Sequence, residues 1–389
     1  MAKVLLGDVV DHIKDKVDKD STDLEYYVGG EHIDGDEIMV HRKGVIQGST
    51  IGPAFHMHFQ RGDVLLMSRN PHLRKASMVD FDGICSDVSY VCRTKDNDVL
   101  LQSLLPFILQ TPEFWQFAEE NKKGGLPFFL NWKDFARFEF ELQPIERQRL
   151  IANLLWAMER VKTAYRELIT RTDDLVKSQF IEMFGDPIEN PYGFPCAPLR
   201  EVSDIMSGIT KGRKPKTTVL TRVPYICTAN VQNGFIDWSE MKYIEATEDE
   251  IVKYALLEDD ILMIEGGDAD KVGRGCMAGK LPESCIYQNH VFRVRVDKAL
   301  IEPAFLAAYI LLPSTKAYFL WCAKQTTGIA TINKKQLSEL QVMYPSLEEQ
   351  RRYLQIVQQS DKSKFAGVNR NLSSGLRDRD MRSSRQKPS

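Results

Sequence analysis

The feature that most restricts what this chain can fold into is its likeness to itself at a separation of about 200 residues. Gly62-Asp63-Val64-Leu65-Leu66-Met67 matches Asp259-Asp260-Ile261-Leu262-Met263-Ile264. Asp87-Val88-Ser89-Tyr90-Val91-Cys92-Arg93 lies over Asn289-His290-Val291-Phe292-Arg293-Val294-Arg295. Leu142-Gln143-Pro144-Ile145-Glu146-Arg147-Gln148-Arg149 returns as Met343-Tyr344-Pro345-Ser346-Leu347-Glu348-Glu349-Gln350-Arg351. Blocks repeated in one order at a nearly constant offset mean a duplicated domain, because solenoid repeats run to only about 20–50 residues. The length of 389 residues agrees, since roughly 150 residues per domain gives two to three domains.

Each copy has the same order of elements, which makes the fold class α+β. Strand-like runs at Val64–Ser68 and Val88–Cys92 correspond to Ile261–Glu265 and Val291–Val296. An apolar helical segment follows, Leu100–Leu109 or Ala304–Leu312, and then a short strand, Phe138–Leu142 or Gln341–Tyr344. A proline ends that strand because it has no N–H to give to a ladder. A helix starts at Glu146 or Glu348, where a carboxylate suits the positive end of the helix dipole.

The first of these helices carries a heptad seam. Ile151, Leu154, Met158, Val161, Tyr165, Leu168, Thr172 and Leu175 alternate three- and four-residue steps, and charged residues fill the other faces. Two apolar positions in seven make a stripe narrower than a core-facing helix shows, so the seam predicts a coiled-coil partner. From Glu146 to Phe184 the rod measures roughly 55–60 Å, and Gly185-Asp186-Pro187 ends it. In the second helix Tyr353 and Ile356 keep the register, but Ser360, Ser363 and Gly367 then take the seam positions. Phe365, Val368 and Leu372 continue it after a phase shift, and Ser373-Ser374-Gly375 marks its end.

Composition narrows the class. Apolar residues make up 43% and charged residues 27%, and no apolar run approaches the roughly 18 residues of a membrane span. The opening MAKVLLGDVVDHIKDK has the wrong flanks for a secretory signal. Seven cysteines without paired spacing argue against a disulfide framework and for the reducing cytoplasm. Net charge is −3, but residues 361–389 hold eight Lys or Arg against three Asp, a net of +5 that leaves −8 on the rest. Such a basic end is expected to be a solvated, disordered tail.

With its ordered duplicate, the chain resembles the specificity subunit of type I restriction–modification enzymes. The likeness rests on Pro144-Ile145-Glu146-Arg147-Gln148, Pro345-Ser346-Leu347-Glu348-Glu349-Gln350 and Phe180-Ile181-Glu182-Met183-Phe184-Gly185-Asp186-Pro187. Pro198-Leu199-Arg200-Glu201-Val202, which opens the second copy, and Thr326-Thr327-Gly328-Ile329-Ala330-Thr331-Ile332-Asn333 add to it. The resemblance implies two mixed α/β target-recognition domains, at 1–145 and 187–345. Two long antiparallel helices forming a coiled coil, at 146–186 and 346–374, would separate them, with the tail at 375–389. It also implies a non-catalytic subunit reading a bipartite target in double-stranded DNA. Two modification subunits would methylate adenine with S-adenosylmethionine, and restriction subunits would supply ATP-driven, Mg-dependent translocation and cleavage. The chain itself would hold no cofactor and no metal.

Candidate DNA contacts follow from residue chemistry. Lys211, Arg213, Lys214 and Lys216 lie in a glycine- and proline-containing loop, with Arg222 after it, suited to neutralising phosphates. Lys324, Gln325, Thr326 and Thr327, followed by Lys334 and Lys335, offer cations, an amide and hydroxyls for phosphates and base edges. Their first-copy counterparts are Lys122 and Lys123. Arg69, Asn70, Arg74 and Lys75 leave the Val64–Ser68 strand, where Arg and Asn suit bidentate contact to purines. The equivalent loop Glu265–Arg274 mixes acids with Lys271 and Arg274. Asp268 there could accept from a cytosine amine, although a turn-stabilising carboxylate is the more ordinary role. Asn230-Val231-Gln232-Asn233 reads as a turn before Gly234.

Catalytic motifs are incomplete. Asn190-Pro191-Tyr192 lacks the second proline of an adenine-methyltransferase signature and reads as a turn. Gly275-Cys276-Met277-Ala278-Gly279-Lys280-Leu281 is one residue short of a phosphate-binding loop and has Leu where Ser or Thr must reach magnesium. His56 and His58 lack the further converging ligands that zinc needs. The cysteines sit among apolar neighbours and read as buried thiols. Two rival functions remain: a protein-binding scaffold, and a stand-alone DNA methyltransferase or nuclease.

Overall fold

The computed structural model describes residues 2–125, 127–214, 219–267, 271–326 and 329–362, with only the backbone at 2, 324–326 and 329. The expected residues 363–374 of the second long helix and the tail at 375–389 lie outside the described residues. The chain divides into two compact units, with the boundary between Arg166 and Glu167.

In the first unit, antiparallel strands run in the order Val10–Ile13, Ser89–Thr94, Val64–Met67, Ala76–Met78. The Val64–Met67 strand is buried on both faces. One face packs on the apolar helices Leu105–Leu109 and Pro112–Glu120. The other packs on a mixed sheet in which Tyr26–Val28 pairs in parallel with Gly83–Ser86, flanked by Gly44–Val45 and Phe55–Phe59. Prolines stand in the first turns of both helices, where a missing N–H costs nothing. Ala2–Leu5 pairs antiparallel with Glu139–Leu142 and closes the unit.

The second unit repeats this plan. Its antiparallel sheet runs Ser203–Ser207, Val291–Val296, Ile261–Ile264, Gly275–Met277. A second sheet holds Lys242–Ala246, Thr221–Ile226 and Ile286–Tyr287, again with one parallel pairing. The helices are Pro303–Ile310 and Pro313–Cys322, and the closing pair is Cys196–Pro198 with Gln341–Met343. The repeat extends to side chains. Buried Asp63 receives Arg93 at 2.7 and 2.8 Å, and buried Asp260 receives Arg295 at 2.6 and 2.7 Å. The same carboxylates accept backbone N–H bonds from Gln60 and Leu257.

The long helix spans Ile145–Phe184, 40 residues, or about 60 Å at 1.5 Å per residue. Gly185 stops it at φ +74°, with its N–H on the Ile181 carbonyl. The helix start packs on the first core through Ile151, Ala152, Leu155 and Trp156. Its last turns enter the second core through Phe180 and Phe184. Between these ends Leu154, Met158, Val161 and Leu175 each leave more than half of their surface exposed. The seam therefore does not serve either core there. The second helix occupies 347–362, and its Tyr353 packs edge-on against Phe180 and Phe184, with its hydroxyl 3.4 Å from the Val176 carbonyl. Among the described residues no single helix is long and apolar enough to cross a membrane.

Candidate nucleic-acid interface

In the first unit the fold unites two of the candidate segments. Leu130 N–H donates to Ser68 O and Asn70 N–H to Phe128 O, so 68–70 runs alongside 128–130. Lys123 and Phe129 exchange backbone bonds at 2.9 and 3.1 Å, forming a hairpin around Gly124. Arg69 is exposed on this edge. Asn70 and Arg74 both adopt the left-handed backbone at φ +52° and +49°, and the Asn70 Oδ1 is buried without a hydrogen-bond partner.

The cations of this edge differ in how they are held. Lys122 meets Glu119 at 2.6 Å and lies over the Phe128 ring. Lys123 meets Asp134 at 2.7 Å, and its ammonium foremost, with Arg137 adding to it, keeps the Asp134 carboxyl below its ordinary range. Lys75 donates to the Gly30 carbonyl at 2.5 Å, and Arg74 makes a long 3.4 Å contact with Asp36.

The second unit builds the same edge from other residues. Glu265 N–H donates to His290 O, as Ser68 does to Val88 O, and Ile332 N–H donates to Glu265 O, as Leu130 does to Ser68 O. Gly266 and Gly267 pair with Thr331 and Ala330, and Lys324–Thr326 pairs with Ile329–Thr331 as the hairpin. Lys324, Gln325 and Thr326 thus belong to the hairpin strand, while Thr327 and Asp268 lie outside the described residues. Lys334 and Lys335 are exposed in the first turn of the helix Lys334–Ser338, which Asn333 caps.

A surface cleft of about 500 Å³ opens beside this edge, lined by Glu265, Gly266, Gly267, Lys271, His290 and Thr331 among others. His290 Nδ1 and Glu265 Oε2 are 2.5 Å apart. Glu265 opens the loop Glu265–Arg274 weighed in the sequence but was not singled out there, and His290 was not considered as a contact. Only the fold brings them together across 25 positions, and a lone Glu or His in a loop carries no signal of that kind.

The basic loop divides similarly. Lys211 and Lys214 are exposed, and Lys216 lies outside the described residues. Arg213 is held by both Glu250 oxygens at 2.6 Å and by the Glu245 carbonyl at 2.9 Å. This pairing, with the backbone N–H of the Thr247 cap behind it, brings the Glu250 carboxyl down to about 2. Arg222 stacks on the Tyr243 ring.

The other weighed motifs fall into structural roles. Asn190 and Gly193 form a turn after the long helix, at φ +45° and +66°. Gly275–Met277 is a strand of the main sheet rather than a phosphate loop. Asn230 is buried and braces its own turn through the Asp237 and Glu240 carbonyls. His58 pairs with Asp15 at 2.9 Å. Glu37, His41 and Glu159 bring donor atoms within 4.8 Å of one another. Arg166 at 2.8 Å and Lys162 at 3.0 Å already neutralise Glu37 and hold its carboxyl low. Five cysteines are buried and Cys196 is exposed, and none is in a disulfide.

The two framed edges lie on two copies of one mixed α/β domain, so the chain is of a duplicated-domain class. Residues 197–372 match the family model described as the type I restriction modification DNA specificity domain. Over 166 residues, 42% of this chain, the sequence is 27% identical to a Methanocaldococcus jannaschii protein assigned as a type I restriction enzyme MjaX specificity subunit. Over 138 residues, 35% of the chain, it is 25% identical to the type I restriction enzyme EcoKI specificity subunit of Escherichia coli K12. These stretches cover 39% and 30% of the two curated relatives' own lengths. The solved S subunit of a type I restriction–modification system from M. genitalium is 15% identical, with a TM-score of 0.49 over 98% of this chain and 94% of that one. The likeness is therefore to type I restriction–modification specificity subunits, and the family model matches the chain over residues 197–372 only.

Proposed function

We propose that the chain is the DNA sequence-specificity subunit of a type I restriction–modification complex and has no catalysis of its own. Residues 1–145 and 187–345 are the two target-recognition domains, each reading one half of a bipartite duplex target. Residues 146–186 and 346–374 are the antiparallel spacer helices, whose length fixes an unread gap between the halves. Modification subunits bound to this scaffold methylate adenine with S-adenosylmethionine, and restriction subunits add ATP- and Mg-dependent cleavage, all in the cytoplasm.

The observation that supports this reading best is the doubled edge. One backbone frame, 68–70 with 128–130, returns at 265–267 with 330–332 but carries different side chains. A repeated frame with diverged side chains is what two readers of unlike half-sites require, because positioning is shared and base readout is not. The exposed Arg69, Lys211, Lys214, Lys334 and Lys335 can neutralise phosphates without first breaking an ion pair inside the domain.

Mapping methylated adenines genome-wide with and without this chain tests the proposal. The expected result is one bipartite motif that vanishes with the protein. Replacing residues 1–145 with another such domain changes only one half of that motif. Unchanged methylation, or binding to proteins with no site preference on DNA, would identify a scaffold instead.

A further inference from the structure

We infer that Glu265, oriented by His290, is the residue with which the second unit selects one base pair of its half-site. It accepts a hydrogen bond from an exocyclic amino group, cytosine N4 or adenine N6, in the major groove. This rests on the specificity-subunit reading and adds which residue selects and which atoms it selects.

The argument starts from positions that are equivalent in the two copies. Ser68 and Glu265 occupy the same place, each donating its N–H to the residue before the neighbouring strand and accepting a bond from the hairpin. In the first copy that place is closed: Ser68 is buried and its hydroxyl is bound to the Val88 carbonyl. The next residue, Arg69, is the exposed one. In the second copy the pattern is reversed. A Cβ on Gly266 would lie 2.5 Å from the Ala330 carbonyl oxygen, so no side chain can stand where Arg69 stands. The glycine adds no side chain beside Glu265, whose carboxylate lines the cleft with its side chain 35% exposed.

A carboxylate on a DNA-facing edge is repelled by phosphates, so it must meet a donor to be tolerated. In the major groove only cytosine N4 and adenine N6 donate, whereas guanine O6 and N7 and thymine O4 accept. Glu265 therefore rewards an amino group and penalises a carbonyl at the same position, which makes discrimination larger than attraction alone would. His290 gives its Nδ1–H to one carboxylate oxygen and fixes the group's plane. An ionised carboxylate has acceptor sites left for a further donor. Lys271 lines the same cleft.

The test uses the whole complex, with full-length chain and its modification partner. Wild type, Glu265→Gln, Glu265→Ala and His290→Ala are compared by mapping methylated adenines across a genome. A wild-type motif in two halves confirms the underlying reading. Glu265→Gln, which can both donate and accept, is then expected to relax one position of one half, with rejected bases methylated at least tenfold more often. The spacer and the other half stay unchanged. A wild-type motif in all three variants overturns the inference, as does methylation altered in both halves or lost altogether. Absence of any motif with the wild-type chain overturns the specificity-subunit reading itself.

Discussion

Gln148 and Gln350 hold the same place in the two copies and make the same three hydrogen bonds. Gln148 Nε2 donates to the Val99 and Gln143 carbonyls, and its Oε1 accepts from Leu101 N. Gln350 Nε2 donates to the Leu300 and Pro345 carbonyls, and its Oε1 accepts from Glu302 N. Both amides are buried, so the glutamine of each Pro-containing motif ties the start of a long helix to the loop that precedes the apolar helix pair. Replacing either by Ala strands three backbone groups away from water. Gln350→Ala should cost about 2–4 kcal/mol, read as a lower urea midpoint with an unchanged slope. An unshifted midpoint would mean that water enters and replaces the amide.

The Asp63–Arg93 and Asp260–Arg295 pairs should behave alike under substitution. Each carboxylate is buried, while each arginine reaches the surface, which softens the penalty for leaving the cation alone. Asp63→Ala and Asp260→Ala are each expected to destabilise by about 2–4 kcal/mol. Adding Arg93→Ala to the first should cost much less than the sum of the single changes, and a double-mutant cycle measures that coupling.

Acid should act on the second unit through Glu250. Its folded value of about 2 lies below its ordinary 4.5, chiefly because Arg213 holds the carboxylate. A depressed carboxyl contributes stability that is complete above pH 4.5 and is lost as the pH falls toward 2. Arg213→Ala should bring the Glu250 titration back toward the ordinary range. It should also flatten the dependence of unfolding on pH in that window, visible by NMR titration and acid unfolding.

Salt dependence should separate exposed cations from paired ones. Lys211→Ala combined with Lys214→Ala is expected to reduce the slope of log affinity against log salt by about 2 for the assembled complex on its target. Lys123→Ala should instead lower stability, because it takes away the principal cation of buried Asp134. Equal slope changes from both substitutions would contradict that division.

The parts of the fold legible in the sequence are those set by periodicity and by the duplicate. Strands expected at Val64–Ser68 and Val291–Val296 occur at Val64–Met67 and Val291–Val296. The long helix expected from Glu146 runs Ile145–Phe184. The aligned Asp63 with Asp260, and Arg93 with Arg295, fill equivalent ion pairs. The second sheet of each unit was not legible. Tyr26–Val28 and Gly83–Ser86 are too short to show a period, and their parallel pairing joins segments far apart in the chain. Helix Pro112–Glu120 also escaped, since Gln110 and Thr111 make the preceding apolar run look finished. At the candidate interface, counting cations put Arg69, Lys211 and Lys214, which are exposed, on the same footing as Arg213, whose partner Glu250 lies 37 positions away.

Each copy is closed by a ladder between its own first and last strands, Ala2–Leu5 with Glu139–Leu142 and Cys196–Pro198 with Gln341–Met343. The polypeptide thus enters and leaves a copy at neighbouring points. A genetic crossover within the codons for 143–195 would sever no ladder of either copy. Either copy could accordingly be exchanged for a related one as a unit, with both closing ladders left intact.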